Sequence, residues 1–171
     1  MPDFRRYYLP NALVFITTVI QDRRPVFGDD ADAESLLDTM RAVQTLHPFH
    51  LLAYVVLPEH LHLLMQTGAA TNFSRVMHSI KRNYTLNYKK SHGIRGQLEL
   101  WQSRFWDHVI RDDDDLARHM DYIHYNPVKH GYSASPLDWE FSTYRFWWER
   151  GYYPQEWGMQ VPASIRDLEV E

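Results

Sequence analysis

Hydrophobic positions along the chain fall into two periods that alternate. Leu13 to Val19 is a β-branched run ended by the polar Gln21-Asp22-Arg23-Arg24-Pro25, and it predicts a first strand. From about Asp30 to Leu46 the period changes, and Leu36, Leu37, Met40, Val43 and Leu46 recur at helical spacing. His50 to Leu57 and Leu61 to Thr67 predict two more strands, and the short Pro58-Glu59 connection makes them an antiparallel pair. Asn72 to Tyr88 predicts a second helix, capped by Asn72, with Phe73, Val76, Met77, Ile80 and Tyr84 as its apolar stripe. Ser91 to Gln97 reads as a loop, and Phe105 to Arg111 alternates as a fourth strand.

A third helix opens at Asp112-Asp113-Asp114-Asp115. Consecutive carboxylates on a helix do not face one another, whereas at its N-terminus they cap it and meet the positive end of its dipole, so the run reads as a cap rather than a metal cluster. Leu116, Met120 and Ile123 form the buried stripe, and Asn126-Pro127 followed by Gly131 predicts the end, because proline disfavours helical backbone in the preceding residue. From Ser133 onward periodicity fades, leaving one short helix around Phe141 to Arg150 and a partly disordered tail. The expectation is an α+β chain with a single domain over 1–171, of which about 133–171 is a less regular extension.

Composition removes some chemistry. There is no cysteine, which excludes disulfides and thiolate catalysis. The apolar run Ala12 to Ile20 follows Arg5-Arg6 in the manner of a signal peptide. However, it contains Thr17-Thr18, lacks a small-residue cleavage site and is too short to span a bilayer. The expectation is a soluble, cytoplasmic protein with no membrane partner. The net charge of −4 hides an asymmetry: residues 72–111 hold eight basic and two acidic side chains, while residues 112–171 hold five and twelve. That basic island is either a footprint for phosphates or a solvated helix face.

The candidate chemistry begins with His60 and His62. On a strand their side chains project to the same side, about 6–7 Å apart at Cα, while Leu61 and Leu63 point into a core. Two imidazoles so placed can share a metal ion or a phosphate, or be ordinary strand residues. On the third helix Tyr122 and Asn126 are four residues apart and share a face about 100° from the buried stripe, at its edge rather than in it. Asn126 offers an oxygen ligand at the negative end of the helix, and Tyr122 is either a boundary tyrosine or a nucleophile.

The order Leu57-Pro58-Glu59-His60-Leu61-His62, Ile80-Lys81-Arg82, Trp101-Gln102-Ser103-Arg104-Phe105-Trp106 and Asp121-Tyr122-Ile123-His124-Tyr125-Asn126-Pro127-Val128-Lys129-His130-Gly131 closely resembles the REP-associated tyrosine transposases. These are single-tyrosine transposases of the HUH nuclease superfamily. Arg5-Arg6-Tyr7-Tyr8 and Trp139-Glu140-Phe141-Ser142-Thr143 also fit, so the likeness covers nearly the whole chain. The resemblance implies a ferredoxin-like antiparallel sheet with helices packed on it. It also implies His60, His62 and Asn126 as metal ligands and Tyr122 as nucleophile. Related insertion-sequence transposases carry glutamine at the third-ligand place. Tyr125 and Tyr132 lack an asparagine four residues later and rank below Tyr122.

The same resemblance implies Mg²⁺ or Mn²⁺, and two imidazoles favour Mn²⁺ because Mg²⁺ prefers all-oxygen sites. The implied activity is endonuclease and strand transfer on single-stranded DNA through a 5′-phosphotyrosine. Arg5, Arg6, Lys81, Arg82, Lys89 and Arg104 would neutralise phosphates, and Trp101 or Trp106 would stack a base. The implied target is a REP-type hairpin with a flanking 5′ tetranucleotide, met by a monomer, although related transposases work as dimers. Two other classes remain open on the residues alone: a phosphoesterase using activated water, and a hairpin-binding protein without catalysis.

Overall fold

Alternate side chains of one central strand are divided between two cores, and this division positions the site. The computed structural model describes residues 6, 8–168 and 170. In chain order the elements are β1 (Leu13–Val19), α1 (Asp30–Leu46), β2 (Phe49–Leu57), β3 (His60–Thr67), α2 (Phe73–Ser91), β4 (Trp106–Val109), α3 (Asp113–Lys129) and α4 (Tyr144–Glu149). The strands form one antiparallel sheet ordered β2-β3-β1-β4. This is the ferredoxin-like α+β arrangement that the sequence led us to expect.

Leu61, Leu63 and Met65 of β3 join Val14 and Ile16 of β1 in a core with α1 and α2. His60, His62 and Leu64 face the other way, toward Phe15 and α3. Leu61 and Leu63 are fully buried, each contributing roughly 1.5–3 kcal/mol. A one-residue slip would replace them with imidazoles, so the core fixes which face carries the histidines. Strand β2 reaches the same division through a bulge. Its register against β3 shifts between Leu51 and Ala53, so Phe49 and Leu51 face α1 and α2, whereas Ala53, Val55 and Leu57 face α3.

Helix α2 buries its whole expected stripe, and the Asn72 side chain accepts a hydrogen bond from the Arg75 amide at 3.0 Å. On α1 the stripe is narrower than expected. Leu46 is 66% exposed, because the drift of 100° per residue places it about 80° from Leu36.

Helix α3 departs from the sequence reading at three points. Asp112 caps it, accepting from the Asp115 amide at 2.8 Å, but Asp115 is itself buried and bonded to His108 and Arg111. The helix does not stop at Asn126-Pro127. It runs through Pro127 to Lys129, and the Asn126 and Pro127 carbonyls accept from the amides of His130 (3.0 Å) and Tyr132 (2.9 Å) around Gly131, whose φ is +73°. Finally, Tyr122 and Asn126 are 2% and 0% exposed rather than marginal.

Tyr122 faces the sheet, packed edge-on against Phe15 and His62, while the C-terminal extension covers the neighbouring face of α3 around His124 and Tyr125. Phe141 pairs its carbonyl with the Val56 amide at 2.8 Å, and the Trp139 and Trp147 indoles donate to the carbonyls of Val56 and Leu52, so the free edge of β2 is covered. Within the described part of the tail, expected to be partly disordered, Tyr153 and Ile165 are buried, and Ile165 and Val170 join the α3 core. Helix α3 is therefore covered on two sides. No helix among the described residues is long and apolar enough to cross a membrane.

Candidate active site

The pleat of β3 brings His60 and His62 together, with ring centroids 4.9 Å apart and planes at 81°. Each ring is held by its Nδ1. For His62 this atom lies 2.7 Å from the Thr17 hydroxyl on the neighbouring strand, and for His60 it lies 3.0 Å from Glu59 Oε1. The second oxygen of Glu59 accepts from the Tyr132 hydroxyl at 3.0 Å. Phe15 stacks on His62 at 5.4 Å, and His130 packs edge-on against His60 at 5.3 Å. Engagement of Nδ1 by a carboxylate or hydroxyl is the usual way to orient an imidazole that ligates through Nε2, and Nε2 is buried in both rings.

Helix α3 lies across these rings. The Tyr122 ring meets His62 at 5.2 Å and 72°, and its hydroxyl accepts a hydrogen bond from Lys129 Nζ at 3.1 Å. The ammonium also sits 4.7 Å from the centre of the same ring. One turn after Tyr122, Asn126 turns its Nδ2 toward the Tyr122 carbonyl at 3.4 Å. Its Oδ1 is buried with no hydrogen-bond partner among the described residues. One amide oxygen and two oriented imidazoles are the donor types of an N₂O set that could hold a divalent cation. The cluster as a whole offers a phenol with an adjacent ammonium and two imidazoles held through Nδ1 by a carboxylate and a hydroxyl.

The residues expected to bind DNA divide differently. Arg5 lies outside the described residues. Arg6, Lys81, Arg82, Lys89 and Trp101 line one groove of about 690 Å³ between α2 and the segment before β4. Arg104 is exposed nearby in sequence but does not line it. Arg6 is already committed, to Asp107 at 3.1 Å, to Ser74 at 3.0 Å and over the Phe105 ring at 3.7 Å. Lys81 donates to the Gln102 carbonyl at 2.7 Å, and burial, then the nearby Arg6, lowers its pKa. Lys89 donates to the Gly96 carbonyl.

Trp101 is 9% exposed and packs on Phe27 and Tyr84, with its indole N–H bonded to Lys81 O and Thr85 Oγ1. It belongs mainly to the core, with part of the ring lining the groove. Trp106 is 43% exposed and touches Phe15 on the histidine face.

Residues 10–126 match the family described as transposase IS200-like. A REP-associated tyrosine transposase of Escherichia coli K12 is 36% identical over 162 residues, spanning 94% of this chain and 93% of that protein. The chain belongs to the REP-associated tyrosine transposases. A Haemophilus influenzae protein provisionally placed in the same group is 36% identical over 178 residues, 97% of this chain and 98% of that one. A solved REP-associated tyrosine transposase, bound to a REP hairpin, matches with a TM-score of 0.80 at 32% identity, covering 99% of this chain and 100% of that one.

Within this transposase, sequence reasoning missed Lys129, Glu59 and Thr17. Lys129 lies seven residues after Tyr122, two helical turns on and the same face, a relation hidden by ending the helix at Pro127. Glu59 precedes His60 directly and had a signal of its own, a carboxylate beside a candidate ligand. Thr17 comes from a strand 45 residues away, and no local signal pointed to it.

Proposed function

We propose that this transposase is a metal-dependent endonuclease and strand transferase for single-stranded DNA, acting beside a REP-type hairpin through a covalent 5′-phosphotyrosine on Tyr122. The observation that carries the proposal is the placement of the Tyr122 phenol against His62 at 5.2 Å with an ammonium on its oxygen. A phenolate is a better leaving group than an alkoxide, so the tyrosyl phosphodiester stays open to later attack by a 3′-hydroxyl.

In this reading the Tyr122 oxygen bonds to phosphorus as the bond to the 3′-oxygen breaks. The phenol gives up its proton, and the leaving 3′-oxygen takes one up. Lys129 stabilises the phenolate and holds it toward the incoming phosphate. His60, His62 and Asn126 are the residues that would hold Mg²⁺ or Mn²⁺. When bound, such an ion supplies charge stabilisation for the non-bridging phosphate oxygens. Two imidazoles and one amide oxygen favour Mn²⁺. Glu59 and Thr17 keep the two rings aimed.

Hairpin DNA as the target is supported by the solved relative, which is bound to a REP hairpin. The groove along α2 and the histidine pair lie on opposite faces of the sheet. Phe105 lines the groove and the next residue, Trp106, reaches the histidine face, so a strand passing over the β4 edge would meet both. A flanking 5′ tetranucleotide would then lie between hairpin and Tyr122. In this reading Tyr122 acts with the histidines of its own chain, as a monomer would use it.

The test is incubation with hairpin DNA and Mn²⁺, followed by denaturing electrophoresis. A protein–DNA species that survives denaturation is expected, and Tyr122→Phe should abolish it. Free cleavage products that persist in Tyr122→Phe would point to water as nucleophile. Binding without cleavage under any divalent ion would leave a hairpin-binding protein.

A further inference from the structure

A second group of ligating side chains sits where β4 meets α3, outside the His60/His62 pair. His108, Asp115 and His119 each bring a ligand atom within 4.8 Å of the others. Asp115 and His119 are 3% and 1% exposed, and His108 is half-buried. Burial pushes the Asp115 carboxyl up, but hydrogen bonds from His108 and Arg111 outweigh it and hold the group well below the usual carboxylate range.

His119 is oriented as metal-ligating histidines are. Its Nδ1 lies 2.8 Å from the Asp115 backbone carbonyl and 3.2 Å from Asp115 Oδ1, which assigns the ring proton to that nitrogen. Burial lowers the pKa of this imidazole. Its Nε2 is buried with no hydrogen-bond partner among the described residues. The His108 ring lies parallel to it at 4.7 Å and 14°, with Nε2 2.8 Å from Asp115 Oδ2.

We propose that His108, Asp115 and His119 form a second divalent-cation site, distinct from the His60/His62/Asn126 centre and suited to a zinc-class ion. Two imidazoles and one carboxylate are the donor set of borderline cations rather than of Mg²⁺. The Phe15 ring touches both His62 (5.4 Å) and His119 (4.8 Å) and lies between the two groups. An ion here ties the edge strand to α3 one turn before Tyr122, so it fixes the helix that carries the nucleophile. Arg111 is the competing cation. Its Nε is 3.2 Å from Asp115 Oδ2, but its side chain is 70% exposed and free to swing outward.

The test uses the full chain carrying His60→Ala and His62→Ala, titrated with Co²⁺ and followed by visible d–d absorbance. One Co²⁺ per chain is expected. Adding His108→Ala or His119→Gln should remove the signal, while adding Arg111→Ala should tighten binding because a competing charge is gone. His108 is half-buried, so its variant reports even if the His119 change impairs folding. Absence of a Co²⁺ signal in the His60/His62 variant would overturn the proposal, as would a signal that survives His108→Ala. A pure hydrogen-bond cage around Asp115 would give that first result, together with lower thermal stability in Arg111→Ala.

Discussion

Lys129 Nζ donates to the Tyr122 hydroxyl at 3.1 Å across two turns of one helix. An ammonium at that distance can stabilise negative charge as it develops on the phenolic oxygen during attack. Hydrogen bonds to charged groups are worth about 1.5–3 kcal/mol. Lys129→Met should therefore slow covalent adduct formation by roughly 10- to 100-fold with little change in DNA affinity. Single-turnover rates set beside a binding isotherm separate the two. An unchanged rate would remove Lys129 from the chemistry.

Glu59 and Thr17 act through the rings they hold. Glu59→Gln and Thr17→Val should each weaken Mn²⁺ binding by about 10- to 100-fold, the usual cost of losing an outer partner. Calorimetric titration of Mn²⁺ reads this directly, without DNA. Equal affinity in both variants would mean the rings need no such support.

The two tryptophans make opposite predictions. Trp106→Ala should cost about 1–3 kcal/mol in single-stranded DNA binding, the value of one lost stacking platform, and leave melting temperature nearly unchanged. Trp101→Ala should instead cost about 3–5 kcal/mol of stability, as other large core truncations do. Thermal melts and fluorescence anisotropy on both variants decide the assignment.

Arg82 and Lys89 line the α2 groove. If they neutralise phosphates of the hairpin, Arg82→Ala and Lys89→Ala should each reduce the slope of log affinity against log salt by about 1. A slope equal to that of the unaltered chain would place DNA elsewhere.

His124 joins α3 to the C-terminal extension, with Nδ1 2.7 Å from the Tyr153 hydroxyl and Nε2 2.8 Å from Thr143 Oγ1. Burial pushes its pKa down to about 3, whereas the unfolded chain has the ordinary value of about 6.5. Above about pH 6.5 both states are neutral and the full stability is present. As pH falls toward 3 the unfolded state binds a proton that the folded state refuses, so stability drops by up to about 1.4 kcal/mol per pH unit. Denaturant melts between pH 7 and 4 should show this slope, and His124→Gln should flatten it by about one proton. An identical slope in the variant would assign the acid sensitivity to other groups.

Local patterns carried a large part of this protein. The order of strands and helices follows from period alone, and the alternation within Leu61 to Met65 already placed both histidines on one face. The pairing of Tyr122 with Asn126 is likewise a property of one helix. What tertiary structure decided involves partners distant in sequence or overrides of local preference. Helix α3 continues through Pro127 because packing on two sides outweighs the local penalty, and that continuation delivers Lys129 to the Tyr122 hydroxyl. Tyr122 is buried, not marginal, because α3 packs that face on Phe15 and His62 of the sheet, strands distant in sequence. Trp101 and Trp106 are alike in the sequence, yet one is enclosed by α2 and the other is left open on the sheet. Periodicity reports which face of an element is apolar, but only the assembled chain shows what lies against that face.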